Sequence, residues 1–246
     1  MRTVAIVQAR MSSTRLPGKV LMDIVGETTL ARVVRRMSRA KLITEVAIAT
    51  TDSPADDVIV SEAERLGVRC FRGSEQDVLA RYVGAAEAFA ADVVVRVTSD
   101  CPLMDPEIAD QVVREFLCGP ADFAYNDVEH SFPRGLDVEV FSRDAFHQAA
   151  RMAGRPYQRE HVTPVFYEHP DTFKAAIVCS GRDFSGYRWT LDTPEDLQLI
   201  RAIYSHFSRR DDFGWREIVK LLETSPDLAK TNAHIVQKSV HEVAAS

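Results

Sequence analysis

The sequence predicts an α/β fold of three layers, with helices on both faces of a mostly parallel, mixed sheet. Three observations carry that prediction. Short unbroken apolar runs at residues 4–7, 46–49 and 93–97 have the length and the Val/Ile content of strands buried on both sides. Stretches with apolar residues three and four apart lie between them, the spacing of a helix that covers a sheet. Each interval is long enough for a crossover, so consecutive strands can run parallel.

The elements follow in order. Val4-Ala5-Ile6-Val7 is the first strand and runs directly into a basic loop. Leu30, Val33, Val34 and Met37 then recur at helical spacing, with Thr28 or Thr29 as the cap. Residues 46–49 form the second strand. Ser53-Pro54 opens a helix with proline in its first turn, and Gly67 closes it. A short strand is expected at 68–71, followed by a helical stripe of Val78, Leu79, Tyr82, Val83 and Ala86. Residues 93–97 are the clearest strand. Asp105-Pro106-Glu107 starts the next helix, which buries Ile108, Val112 and Phe116.

After Gly119-Pro120 the rhythm changes. Residues 136–141 alternate as a strand, with Leu136, Val138 and Val140 on one face. Helices are expected at 142–153 and 157–168, a strand near 173–179 and a last short strand at 189–191. Thr193-Pro194-Glu195-Asp196 caps the helix that follows. Residues 239–246 read as a frayed tail. The expected organisation is a single domain over 1–246, with 120–187 as an inserted or appended subregion.

Composition narrows the class. A net charge of -6 excludes a general nucleic-acid binder, which needs a basic surface. A small anionic ligand stays possible, because local and net charge differ. The four cysteines show no CxxC spacing, as expected for reduced thiols rather than disulfides or structural zinc. The first apolar run stops within a few residues at Arg10, unlike a signal peptide, and no stretch reaches the ~20 apolar residues of a membrane span. A cytoplasmic protein without membrane or nucleic-acid partners is expected.

The loop after the first strand, residues 8–20, carries Arg10, Arg15 and Lys19, is bent by Pro17-Gly18 and holds no acidic residue. Three cations at the carboxyl end of a strand suit a polyphosphate. A Walker loop is excluded, since Ser13 stands where its first glycine belongs and Val20 where its hydroxyl belongs. The dinucleotide fingerprint needs three glycines, and this loop has one. A plain solvated surface is the alternative. Asp100 follows the strongest strand in Thr98-Ser99-Asp100, where it is either a magnesium ligand or a turn residue. Asp192 is a second such carboxylate, free if Thr193 caps the next helix and occupied if it caps that helix itself.

Ser74 is a candidate helix cap, and Gly73 beside it would let a base or ribose approach the backbone. Asp137 and Glu139 alternate with apolar neighbours, and Arg159-Glu160-His161 fits a helix surface; solvation explains both patterns as readily as binding. There is no GxSxG elbow and no His/Cys cluster.

Taken in order along nearly the whole chain, these segments resemble the CMP-sugar cytidylyltransferases of the SpsF-like branch, relatives of the CMP-KDO and CMP-acylneuraminate synthetases. The matching stretches are residues 6–11 and 15–19, 71–82, 96–106, 133–141, 159–164 and 191–197. The resemblance implies a Rossmann-like nucleotide-diphosphosugar transferase fold, CTP as donor, Mg2+ as cofactor and a homodimer. It gives Arg10 and Lys19 triphosphate roles and Asp100 and Asp192 metal roles. The nucleotide site implied also includes Gln8, Ala9, Met11, Ser13, Arg15, Arg72, Gly73, Ser74 and Thr98. Arg134, Asp137, Glu139, Glu160 and His161 form the expected sugar site, in a subregion (120–187) that shapes the acceptor pocket and a dimer contact.

One departure is visible: better-studied synthetases carry a Gln-Gly-Asp-like triplet where this chain has Thr98-Ser99-Asp100. The implied reaction joins CTP to the anomeric hydroxyl of a sugar acid, of the nonulosonic type, giving CMP-sugar and pyrophosphate for surface polysaccharide or glycan synthesis. A glycosyltransferase using a nucleotide-sugar is the first alternative, though such enzymes usually hold their metal with Asp-x-Asp. A non-catalytic nucleotide-binding module is the second.

Overall fold

The structure, a computed structural model, describes residues 1–127 and 131–236. Seven strands form one sheet: β1 (Thr3–Gln8), β2 (Glu45–Thr51), β3 (Cys70–Gly73), β4 (Val93–Thr98), β5 (Phe123–Tyr125), β6 (Glu139–Ser142) and β7 (Ala175–Ile177). Their order is β3-β2-β1-β4-β6-β5-β7. Only β6 runs antiparallel to its neighbours β4 and β5, so the expected mostly parallel, mixed sheet is what forms.

Among the described residues ten α-helices surround it: α1 (Thr29–Met37), α2 (Asp57–Leu66), α3 (Val78–Ala88), α4 (Pro106–Cys118), α5 (Arg143–Met152), α6 (Pro156–His161), α7 (Pro164–Glu168), α8 (Pro194–His206), α9 (Trp215–Thr224) and α10 (Pro226–Ala229). The period-2 alternation of the strands decides which helices cover which face. Ala5 and Val7 join the core made with α1, α2, α4, α8 and α9. Val4 and Ile6 point the other way, into a core with α3, α5 and α7. Two buried arginines tie α1 to the far end of the chain. Arg32 donates to the carbonyls of Ile24, Val25 and Arg209, and Arg36 to those of Met104, Asp211 and Phe213.

Several expected boundaries move, each for a local reason. β3 starts two residues late, because Gly67 takes a left-handed conformation and Val68 N–H still closes α2 onto Ala63 O (3.1 Å). The strand expected at 136–141 begins only at Glu139. The Asn126 amide occupies the backbone before it, donating to Leu136 O (2.9 Å) and accepting from Val138 N–H (2.7 Å). The helix expected at 157–168 is two, since Val162 has φ 70 and Pro164 restarts the turn. Residues 189–191 form no strand. Trp189 N–H reaches Arg134 O and Leu191 N–H reaches Asp100 O, single bonds to two different segments rather than a ladder. β5, α9 and α10 are further elements that the sequence reading did not place. The expected tail at 239–246 lies outside the described residues.

The parallel register matters most for function. Gln8 pairs with Thr98 and Thr51 with Gly73, so the ends of β1, β2, β3 and β4 share one rim.

Candidate functional site

The basic loop folds back on itself at that rim. Asp56 anchors its start by accepting from Met11 N–H (2.7 Å), and Met11 O accepts from both Ser13 N–H and Gly18 N–H. Gly18 sits at φ 70, a left-handed conformation that glycine adopts without a Cβ penalty. The chain then enters a single helical turn beginning at Lys19, which is only 9% exposed.

The Lys19 ammonium stands between two carboxylates, 2.7 Å from Asp100 Oδ2 and 2.8 Å from Asp192 Oδ1. Arg15 Nη2 lies 2.8 Å from the same Asp192 oxygen. Burial opposes the ionised form of Asp100, but the Lys19 ammonium outweighs it and holds the carboxyl down at about 2. Burial likewise pulls Lys19 down, and Asp100 and Asp192 more than offset it, so its pKa is raised.

Asp192 is fixed without acting as a cap. Thr193 Oγ1 caps α8 by accepting from Asp196 N–H, while the Asp196 carboxylate accepts from Asp192 N–H (2.9 Å) and Thr193 N–H (3.0 Å). Arg188 clamps the pair, donating to Asp192 Oδ2 (2.7 Å) and Asp196 Oδ1 (3.1 Å). Asn232 closes the network by donating to Asp196 Oδ1 and to Arg188 O. Asp196 is foreshadowed by its place three residues after the cap; no sequence pattern marks Arg188 or Asn232.

A cavity of about 520 Å3 opens beside the cluster, bordered by Arg15, Thr98, Asp100 and Asp192. Four of the five expected sugar residues, Arg134, Asp137, Glu139 and His161, line it as well; Glu160 does not. The solvated reading of Asp137 and Glu139 is therefore corrected. Glu139 is buried, ion-paired with Arg96 from the neighbouring strand and hydrogen-bonded by the Tyr167 hydroxyl (3.3 Å). Burial and the nearby Asp127 push the Asp137 carboxyl up to about 7, with Arg134 opposing. Arg96 and Tyr167 were not foreseen, since one sits mid-strand and the other in a short helix without a motif.

Other expected residues lie on the rim but off the cavity. Arg10 makes no ion pair among the described residues. Gln8 ends β1 with its Oε1 buried and without a partner. Arg72 is engaged by the loop after β2, donating to Thr51 O and Ser53 O and pairing with Asp57 (2.6 Å). Ser74 does not cap α3. Asp77 does, accepting from Ala80 N–H, while Ser74 Oγ accepts from Asp77 N–H. Gly73 packs closely on Phe71 and Arg81, so its small size already has a packing reason.

Among the described residues no three His, Cys, Asp or Glu side chains gather as a metal centre. Asp100 and Asp192 nonetheless fit magnesium. One cation, the Lys19 ammonium, already stands within bonding distance of an oxygen from each. Magnesium asks for one or two protein carboxylates and completes its shell with phosphate and water.

Comparison with known proteins shows the family. A family model described as cytidylyltransferase matches residues 4–226. An uncharacterised protein of Methanocaldococcus jannaschii is 36% identical, covering 99% of both chains. The spore coat polysaccharide biosynthesis protein SpsF of Bacillus subtilis is 34% identical over 91% of this chain and 95% of its own. A 3-deoxy-manno-octulosonate cytidylyltransferase of Trichlorobacter lovleyi is 34% identical over about half of each chain (49% and 47%). A solved cytidylyltransferase from Leptospira borgpetersenii superposes with a TM-score of 0.90 at 32% identity, covering 97% of this chain and all of that one (100%).

Proposed function

The chain belongs to the cytidylyltransferase family, and on that premise we propose that it joins CTP to a sugar acid, releasing pyrophosphate. The observation that carries the proposal is the buried Lys19 ammonium shared by Asp100 and Asp192, the two carboxylates that border the cavity. A cation pinned between two carboxylates is a site held ready for exchange. An incoming triphosphate gives Lys19 and Arg15 new anionic partners, alongside Arg10, which has no ion pair among the described residues, and releases both carboxylates.

In the proposed reaction the anomeric hydroxyl attacks the α-phosphorus in line, its proton passing to solvent, while pyrophosphate departs. Catalysis then rests chiefly on positioning and charge neutralisation. Arg10 and Lys19 stabilise the charge that grows on the leaving pyrophosphate. Asp100 and Asp192 would hold magnesium, which when bound neutralises phosphate charge and lowers the acidity barrier of the attacking hydroxyl. Arg188, Asp196 and Asn232 keep Asp192 in place through its change of partner.

The acceptor reading rests on the wall of the cavity. Arg134 and His161 offer partners for a carboxylate, and Asp137 accepts from hydroxyls. The printed name of the T. lovleyi relative, a ketosugar-acid cytidylyltransferase, supports a nonulosonic acceptor of the same chemical class. That of the B. subtilis relative supports a place in polysaccharide synthesis. Residues 120–187 supply most of this wall as part of a single domain. They also carry exposed apolar groups, Ile177 on the last strand and Tyr167, that suit a homodimer contact. No helix among the described residues is long and apolar enough to cross a membrane, and dependence on CTP fits a cytoplasmic enzyme.

The direct test is pyrophosphate release from CTP and magnesium with a panel of 3-deoxy-manno-octulosonate, N-acetylneuraminate and neutral hexoses. Release that requires a sugar acid supports the reading. Turnover of a preformed CMP-sugar without pyrophosphate would replace it with glycosyl transfer.

A further inference from the structure

One buried cation plays no part in the account so far. Arg81, on α3, is 1% exposed, and among the described residues only its Nη1 has a partner, donating to Ser74 O at 2.6 Å. Nε and Nη2 are buried and make no hydrogen bond. These two nitrogens lie side by side in the guanidinium plane and form its bidentate fork. A buried charge with two unanswered donors is costly, and native proteins rarely keep one without a use.

Among the described residues no protein group answers it, and the two carboxylates near it are engaged elsewhere. Asp56 is held by Met11 N–H and the Thr51 hydroxyl, and Glu75 by the Ser12 hydroxyl. Burial pulls the guanidinium pKa down, and Arg10 adds to the effect. The position is specific too. A Cβ on Gly73, at the carboxyl end of β3, would stand 3.2 Å from Arg81 Cγ. The Arg81 stem thus packs under the carboxyl end of β3, and its guanidinium, held by Ser74 O, is buried near Arg10, Asp56 and Glu75, between the loop after β1 and the loop after β3.

We propose that Arg81 reads the base, with Nε–H and Nη2–H donating to N3 and O2 of cytosine. The inference rests on the cytidylyltransferase reading and adds a specificity-determining residue to it. Among the four Watson–Crick edges only cytosine presents two adjacent acceptors. Uracil and guanine place an N–H donor beside their carbonyl, and adenine places its amino group beside N1. The fork thus selects cytosine by leaving any other edge with a donor facing a donor. Ser12 Oγ donates to Glu75 Oε1 (2.6 Å) across the two loops, a contact that the base parts on entering.

The test measures binding of CTP, UTP, GTP and 3-deazacytidine triphosphate, each with magnesium, to the wild type, Arg81→Met and Arg81→Lys. The 3-deaza analogue lacks only the N3 acceptor. The wild type is expected to favour CTP over 3-deaza-CTP and UTP by about 10- to 100-fold, the worth of a bidentate base contact. Both variants are expected to flatten these ratios while keeping their residual affinity for triphosphate. The wild-type comparison needs no variant to fold. Equal binding of CTP and 3-deaza-CTP by the wild type, or an unchanged CTP/UTP ratio in either folded variant, overturns the assignment. A preference for GTP, whose Hoogsteen edge also offers two acceptors, overturns it as well. Binding of no triphosphate by the wild type overturns the cytidylyltransferase reading itself, and is thereby distinguishable.

Discussion

Lys19 and Asp100 illustrate how much a single contact can report about a site. The lysine is nearly buried, and it would be costly there without the two carboxylates it bridges. In Asp100→Asn the ammonium loses its 2.7 Å charge partner and the proposed magnesium loses a ligand. We expect kcat to fall at least ~100-fold, the scale of deleting one key electrostatic group; a steady-state assay with unchanged turnover would remove Asp100 from the machinery. At this scale the sequence was readable where chemistry leaves a residue type at a strand end. Arg10 and Asp100 each stand two residues past a strand end and Lys19 lies in the loop after β1, whereas Asp192 was read from the cap pattern of α8. Arg188, Asn232, Arg96 and Arg81 were not readable, because their importance comes from what the fold places opposite them.

Among the elements, the crossing of residues 133–137 with 188–191 holds the two halves of the cavity together. Gly135 has φ 98, and a Cβ there would stand 2.7 Å from the Trp189 carbonyl carbon. Gly135→Ala therefore strains the backbone and pushes this crossing apart, at a cost of roughly 1–3 kcal/mol. Chemical denaturation should show that loss together with weaker acceptor binding. Wild-type stability and acceptor KM in the variant would mean that the crossing is not what aligns Arg134 and Asp137. The elements that misled the sequence reading share a cause. At Asn126, Val162 and residues 189–191, side-chain bonds or backbone conformations set by distant segments override a local apolar pattern.

For the molecule as a whole, the three-layer plan was legible because every central strand is buried on both faces, which writes itself as an unbroken apolar run. The added edge of β6, β5 and β7 was less so, since its strands have only four, three and three residues. That edge also carries a cost at neutral pH. The Asp137 carboxyl is raised to about 7, by burial first and then by Asp127. An unfolded aspartate titrates near ~3.9, so between these values the native state binds the proton more tightly. Stability is therefore lost as pH rises through that window. Asp137→Asn removes this dependence, so its melting temperature should gain on the wild type between pH 5 and pH 8. A constant gap in calorimetry at the two pH values would contradict the burial argument.

The central claim is that the rim selects and holds CTP, with its carboxylates released to magnesium. Thermal denaturation with CTP, UTP, ATP and GTP, each with and without magnesium, tests this most directly. Ligand at a hundredfold excess over Kd stabilises by about 2.7 kcal/mol. The account predicts a shift of that order for CTP that depends on magnesium and disappears in Asp100→Asn. No shift with any triphosphate, or an equal shift with all four, would contradict it.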